Sequence, residues 1–151
     1  MNKKSARVAG TGVDRALLRY GIALFLLGLL SGIIVPAMTN PRMGVSGHLE
    51  GVMNGTYLVV AGLIWGHLRL TNRARSITRA LLLFGTYANG VATELAAAFG
   101  TSSSTPIAGA GHTGKPWQEA FVNVLLYTLS VAIIAATGGM LWGLRGGSNS
   151  E

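Results

Sequence analysis

Residues 47–68, GHLEGVMNGTYLVVAGLIWGHL, begin with polar side chains and continue as a long apolar run. The part from residue 48 to residue 68 reaches the roughly 20 residues that a helix needs to cross a hydrocarbon core of about 30 Å. Ionisable side chains are costly in that environment, and they are candidates for function where they occur. The stretch therefore predicts a membrane helix whose first turns carry chemistry.

Three further segments share this length and apolar character, at residues 17–38, 78–99 and 117–144. Because lipid satisfies no backbone polar group, segments of this length are expected to be helices and not strands. Half of the residues are hydrophobic and only 11% are charged, against about 25% charged in soluble domains. The sequence predicts an all-α fold, a polytopic membrane protein with a bundle of four transmembrane helices in a single membrane domain, residues 1–151.

Most of the basic residues lie in the N-terminal tail, in the connection after the second segment and in the C-terminal tail. These ten are Lys3, Lys4, Arg7, Arg15, Arg19, Arg69, Arg73, Arg75, Arg79 and Arg145. Only Arg42 and Lys115 lie in the other two connections. This asymmetry predicts a multi-pass protein of a bacterial-type cytoplasmic (inner) membrane with both termini in the cytoplasm. The net charge of +7 then reflects topology, and no nucleic-acid partner is expected.

A stripe of glycines runs along the second segment. Gly51, Gly55, Gly62 and Gly66 are four, seven and four residues apart, which places them on one side of a helix. Packing of two membrane helices through small residues is the favoured interpretation. The alternative is a flat face beside His48 that receives a planar cofactor.

Polar side chains of three segments are expected at a similar depth. The predicted topology places them in the outer third of the membrane, with Asn89 slightly deeper; they are His48, Glu50, Asn54, Glu94, Glu119 and Asn123. Such groups face a bundle interior or a cavity, so their convergence predicts a functional site. The alternative is that the asparagines only join helices by hydrogen bonds, while Glu50 and Glu119 lie at the water interface.

His48 is the candidate metal ligand. The chain has no cysteine, which excludes disulfides, thiolate metal sites and a cysteine nucleophile. His67 is expected at the opposite membrane interface, and His112 in a flexible, low-complexity loop at residues 100–116, a candidate lid or pocket wall. A metal at His48 would therefore keep a coordination position free of protein, as catalysis prefers.

The run PRMGVSGHLEGVMNGTYLVVAGLIW, residues 41–65, and the stretch TYAN, residues 86–89, carry a family resemblance. They resemble the hydroxylaminobenzene mutases and, more distantly, the styrene oxide isomerases, which are small four-helix membrane enzymes. The specific shared element is a histidine followed six residues later by Asn-Gly, here His48, Asn54 and Gly55.

The resemblance implies a ferric haem b that acts as a Lewis acid on the substrate oxygen. His48 would be the axial ligand of the iron, Asn54 would hold the substrate, and Gly51 and Gly55 would border the cofactor. A homotrimer with haem near the subunit interfaces is also implied. The isomerases use a tyrosine where this chain has Thr93, and this difference favours the mutase branch.

The mutase reaction converts an aryl hydroxylamine such as hydroxylaminobenzene to a 2-aminophenol. Asn54 and Asn89 are candidates for orienting the small aromatic substrate. Glu50 is the first candidate for proton transfer, and Glu94 competes with it. A membrane cavity would suit an apolar substrate and limit attack by water.

Four alternatives remain open at this stage. An aryl epoxide isomerase would convert styrene oxide to phenylacetaldehyde with the same site. A small multidrug-type transporter would be expected to carry an acid in its first helix, and residues 17–38 hold none. A b-type cytochrome would need His112 as a second haem ligand, and a purely structural subunit would leave the polar convergence without a role.

Overall fold

The computed structural model describes residues 12–145, and this part of the chain contains helices and no strands. The helices are α1, Arg15–Ile34; α2, Pro41–Ile64; α3, Asn72–Phe99; the single turn α4, Pro106–Gly109; and α5, Pro116–Gly143. Short 3-10 turns, Val35–Ala37 and Trp65–His67, extend α1 and α2. Most of the two tails predicted to be cytoplasmic lies outside the described residues.

Polar capping residues set where the long helices begin. The Asn40 side chain accepts from the Met43 backbone N–H, and Pro41 occupies the first helical position, so α2 begins seven residues before the apolar segment predicted from residue 48. Thr71 caps α3 in the same way, and α3 begins at Asn72, six residues before residue 78. The added turns carry the first polar residues of each helix, which an apolar pattern does not detect.

Helices α1 and α2 make the closest contact in the fold. A Cβ added to Gly51 would lie 2.6 Å from the Cα of Gly28, and one added to Gly55 would lie 2.5 Å from the Phe25 backbone nitrogen. Such distances mean that backbone lies against backbone, as small residues allow. The packing interpretation of the glycine stripe is confirmed.

Helix α3 packs between α2 and α5, while α1 approaches α3 only slightly. Leu58 of α2, Leu82 of α3 and Ala136 of α5 are fully buried in the shared core. At one end of the bundle, Arg79 of α3 lies 3.3 Å from the Asp14 carboxylate, which also caps α1. Because α1 and α3 contact each other only slightly, a space that α2 also borders remains between them.

Among the described residues, two helices are long and apolar enough to cross a membrane, α1 with its 3-10 extension (Arg15–Ala37) and α5. Large apolar side chains on both are strongly exposed, including Ile33 at 75% and Ile134 at 72%. Helices α2 and α3 have sufficient length, but the glycines and polar side chains of α2 and the arginines of α3 lower their apolar character.

Candidate functional site

A carboxylate and two amides meet where α2 packs against α3. The Asn54 amide nitrogen donates to Glu50 Oε2 at 3.1 Å, and the Asn89 amide nitrogen donates to the same oxygen at 2.6 Å. Asn54 is buried, and the other two side chains are partly buried. We call Glu50, Asn54 and Asn89 the amide cluster; it joins two helices through one acceptor.

The donors and acceptors of the amide cluster have a defined orientation. A carboxylate oxygen accepts hydrogen bonds, so both amides turn their NH₂ groups towards Glu50. Their carbonyl oxygens therefore point away from Glu50 and are left to accept from another molecule. Of the groups a ligand carries, this arrangement matches N–H and O–H donors.

His48 lies on the other side of α2, against α1. Its Nδ1 is 2.7 Å from the Gly28 carbonyl oxygen, and the ring covers Gly32, where an added Cβ would lie 2.8 Å from Nδ1. Because a carbonyl oxygen only accepts, Nδ1 carries the hydrogen and Nε2 keeps its lone pair. Metal-ligating histidines are commonly oriented this way, so His48 fits the role of a single axial ligand.

His48 and the amide cluster do not meet within one chain. Six helical residues separate His48 from Asn54, which corresponds to about 120° around the helix and about 9 Å along it. His48 faces α1, whereas Asn54 faces α3 through Glu50 and Asn89. The two sets of side chains were expected to share a site, and the fold puts them on different sides of α2.

Gly51 and Gly55, expected to border a cofactor, are covered by α1. Both are buried, and an added Cβ on either would meet the α1 backbone at Gly28 or Phe25. The surface expected to receive a planar group is therefore occupied by a helix, because the spacing that makes a flat face also lets two backbones touch.

Thr93 lies one turn after Asn89 on the same side of α3, whereas Glu94 lies apart from the amide cluster. The Thr93 hydroxyl donates to the Asn89 and Gly90 carbonyl oxygens of its own helix. Glu94 is five residues after Asn89, about 140° around α3. Its carboxylate lies against Gly47, where an added Cβ would be 2.6 Å from Oε1.

Glu94 lines a cavity of about 600 Å³ between α1, α2 and α3. Members of its wall include Leu24 and Leu27 of α1, Gly51 of α2 and Val91 of α3. His48 and the amide cluster do not belong to this wall. Among residues 12–145, no three or more histidine, aspartate or glutamate side chains gather into a metal-binding group.

Comparison with known proteins places the chain in a family. The family model described as styrene oxide isomerase matches residues 13–145. The chain belongs to this family. It is 48% identical over 132 residues to hydroxylaminobenzene mutase HabB of Ectopseudomonas oleovorans, covering 87% of this chain and 80% of HabB. It is 45% identical over 125 residues to hydroxylaminobenzene mutase HabA of the same organism, covering 82% of this chain and 93% of HabA.

The resemblance expected from residues 41–65 is thus confirmed for both branches. Family and relatives indicate an isomerase that acts in aromatic metabolism. No solved structure gives a significant match to the chain.

In this isomerase-family chain, Glu119 and Asn123 hold the loop at residues 100–116. The Glu119 carboxylate accepts from the backbone N–H groups of Ser102, Ser103 and Gly114, and from the Ser103 hydroxyl. Asn123 bonds the Ser103 and Ser104 hydroxyls. These two residues therefore stabilise the loop and do not join the amide cluster.

The loop itself is more regular than its composition suggests. It contains α4, and the Asn40 amide donates to the Ala108 and Gly109 carbonyl oxygens. The His112 backbone is tied to Ser102 by the serine hydroxyl, at 2.6 Å. Small polar residues predicted flexibility here because the pattern does not reveal the acceptor, Glu119, that collects their N–H groups.

Gly28 is a residue beside His48 whose contact the sequence did not predict. Its carbonyl oxygen orients His48, and its lack of a side chain lets α2 approach. The available signal was the set Gly21, Gly28 and Gly32 on α1, whose spacing complements the stripe on α2. A sequence pattern does not show which backbone carbonyl oxygen a side chain will contact. Only the register of α1 against α2 identifies the Gly28 carbonyl oxygen as the partner of His48.

Proposed function

We propose that this protein is a membrane-embedded mutase that converts an aryl hydroxylamine, such as hydroxylaminobenzene, to the corresponding 2-aminophenol. The observation that carries the proposal is the 48% identity to HabB over 87% of the chain. The reaction breaks the N–O bond, forms a C–O bond at the ortho carbon and moves the ortho proton to nitrogen. It has no net oxidation or reduction.

The amide cluster supports the choice of substrate. An aryl hydroxylamine carries N–H and O–H donors, and the carbonyl oxygens of Asn54 and Asn89 are turned to accept them because Glu50 takes the NH₂ groups. Two such hydrogen bonds would hold the ring so that oxygen reaches the ortho position. Glu50 is also the proposed proton carrier, since its carboxylate adjoins both amides.

We propose that His48 holds a ferric haem b through Nε2. The hydrogen bond from Nδ1 to the Gly28 carbonyl oxygen, at 2.7 Å, supports this role because it fixes the ring and the tautomer. When bound, the haem would supply a Lewis acid for the substrate oxygen. The contribution of the chain is to orient His48 through the Gly28 carbonyl oxygen.

The placement of His48 supports a homotrimer. His48 and Asn54 face different sides of α2 in one chain, so a reaction that uses both would be served by a site between subunits. Helices α1 and α5 expose large apolar side chains, including Leu30 at 50% and Val131 at 69%, which suits contact with lipid and with neighbouring copies. We propose that all four long helices span the inner membrane, with both termini in the cytoplasm.

The experiment uses the full chain purified in detergent. With hydroxylaminobenzene, chromatography is expected to show 2-aminophenol, and the protein is expected to show a Soret band. His48→Ala is expected to lose both, while His67→Ala, at the exposed end of α2, keeps both. Absence of 2-aminophenol from a haem-loaded preparation would contradict the mutase assignment, and a full Soret band in His48→Ala would contradict the ligand.

Aryl epoxide isomerisation is the second candidate, because the matching family model is that of styrene oxide isomerase. An epoxide has acceptors and no donors, so it makes poorer use of the two free amide carbonyls. Styrene oxide is therefore expected to turn over more slowly than hydroxylaminobenzene in the same preparation. Faster formation of phenylacetaldehyde than of 2-aminophenol would reverse the ranking.

A further inference from the structure

The cavity between α1, α2 and α3 is separate from the residues to which the reaction is assigned. Its wall runs from Leu24 to Met38 along one side and from Tyr87 to Ala98 along another. Its volume of about 600 Å³ lies within the range of small-molecule sites. A cavity of roughly 150 Å³ already holds a benzene molecule, so this one has room for an aromatic ring with substituents.

Three polar side chains line this otherwise apolar cavity, and two of them are already used. The Ser31 hydroxyl donates to the Gly28 carbonyl oxygen at 2.9 Å. The Tyr87 hydroxyl donates to the Tyr20 carbonyl oxygen at 2.8 Å. The third is Glu94, whose Oε1 is buried and has no hydrogen-bond partner among the described residues.

An unpartnered buried acceptor costs about 1–3 kcal/mol, and more when it is charged. Oε1 itself has almost no accessible surface, so a donor in the cavity reaches the Glu94 carboxylate at its other oxygen. A hydrogen bond there would offset part of this cost. Acyl chains of lipid fill apolar space but carry no donor, so they leave the carboxylate unpaired. The occupant that satisfies both the walls and the carboxylate is an apolar ring with an N–H or O–H group.

We propose that this cavity binds a small aromatic amine or hydroxylamine, with its N–H or O–H group donated to the Glu94 carboxylate and its ring against Leu24, Leu27 and Val91. That the ligand is the enzyme's own substrate or product rests on the proposed function. The binding site itself rests on the cavity and on Glu94. It is distinct from the amide cluster, since Glu94 and Asn89 face different sides of α3.

Gly90 offers a direct way to fill the cavity. It is buried in the cavity wall, and an added Cβ would meet only Leu24 Cδ1, at an ordinary 3.6 Å. Gly90→Leu therefore places a side chain in the cavity without a backbone clash. Gly138 on α5 has no atom within 4 Å of an added Cβ, so Gly138→Leu is the matched control for the same change on a helix.

The test titrates the detergent-solubilised protein with 4-fluoroaniline and follows binding by fluorine NMR, with fluorobenzene as the ligand that lacks a donor. Gly90→Leu is expected to abolish binding of both ligands, while Gly138→Leu binds as the wild type does. Glu94→Met keeps the side-chain length but removes the acceptor. It is expected to weaken 4-fluoroaniline about tenfold or more and to leave fluorobenzene unchanged.

Unchanged affinity in Gly90→Leu would overturn the proposal, as would an equal loss of both ligands in Glu94→Met. A change of oligomeric mass in Gly90→Leu with unchanged 4-fluoroaniline binding would assign the cavity to a second copy of the chain and overturn the proposal too. 4-Fluoroaniline is not a reactant, so binding is measured whether or not the protein turns over hydroxylaminobenzene. His48→Ala is expected to keep the binding, which separates this proposal from the proposed function.

Discussion

Replacement of Gly51 by alanine tests the contact on which the α1–α2 pair depends. The added Cβ would lie 2.6 Å from Gly28 Cα, whereas ordinary contacts begin at 3.4 Å. The atom in the way is backbone, so no rotamer change relieves the clash, and the helices must separate by about 0.8 Å. Overpacking of this kind costs about 1–3 kcal/mol.

The control is Gly138→Ala, because a Cβ at Gly138 meets nothing within 4 Å. Alanine in place of glycine within a helix stabilises by roughly 0.5–1 kcal/mol. The same gain applies at Gly51 and reduces the net cost there to at most about 2.5 kcal/mol. A chain of about this size shifts its Tm by roughly 2–4 °C per kcal/mol, so Gly51→Ala is expected to melt up to about 10 °C below wild type and Gly138→Ala slightly above it.

The assay is thermal unfolding in one detergent, followed by circular dichroism. A second readout is activity, because Gly28 also supplies the carbonyl oxygen that holds His48. Separation of the helices lengthens this 2.7 Å hydrogen bond, so Gly51→Ala is expected to lower turnover even below its Tm. A Tm for Gly51→Ala equal to that of Gly138→Ala would refute the close backbone contact.

Three further changes test other contacts. Asn89→Asp places a second carboxylate where an amide now donates to Glu50 at 2.6 Å. Because like charges repel, activity with hydroxylaminobenzene should fall at least about tenfold. Turnover at the wild-type rate would count against the amide cluster. Glu119→Gln leaves fewer acceptors for the loop N–H groups at residues 102–114, so limited proteolysis there should become faster; an unchanged cleavage rate would argue against this anchor. Tyr57→Phe removes the hydroxyl that lies 2.7 Å from Thr137 Oγ1 and should lower the free energy of unfolding by about 1 kcal/mol. A loss of less than roughly a third of that value would mean that solvent replaces this exposed hydrogen bond.

The helical nature of the fold could be predicted because apolar length alone requires it. The starts of α2 and α3 could not, because they depend on single capping side chains, Asn40 and Thr71, that precede polar turns. The pairing of Glu50 with Asn54 follows from their spacing of four residues on one helix face. The third member, Asn89, was expected at a similar depth, and the structure brings it to the same carboxylate oxygen.

The separation of Glu94 from Asn89 could not be predicted in the same way. Topology gives the depth of a residue along the membrane normal, but the rotation of each helix about its own axis depends on packing. The orientation of α3 is set by contacts such as Gly85 against Ile133, and these carry no signal in a single sequence. The glycine stripe was ambiguous for a related reason: Gly51 and Gly55 look the same whether a cofactor or a second backbone lies on them.

The contrast between the tight α1–α2 contact and the open space beside α3 has a mechanical consequence. Backbone contact at Gly28 and Gly51 makes α1 and α2 a stiff pair, since there is no side chain between them to compress. The volume of the cavity can then change mainly by a tilt of α3 about the α2–α3 contact. Because the amide cluster lies within that contact, a tilt of α3 that widened the cavity would also move Asn89 relative to Glu50.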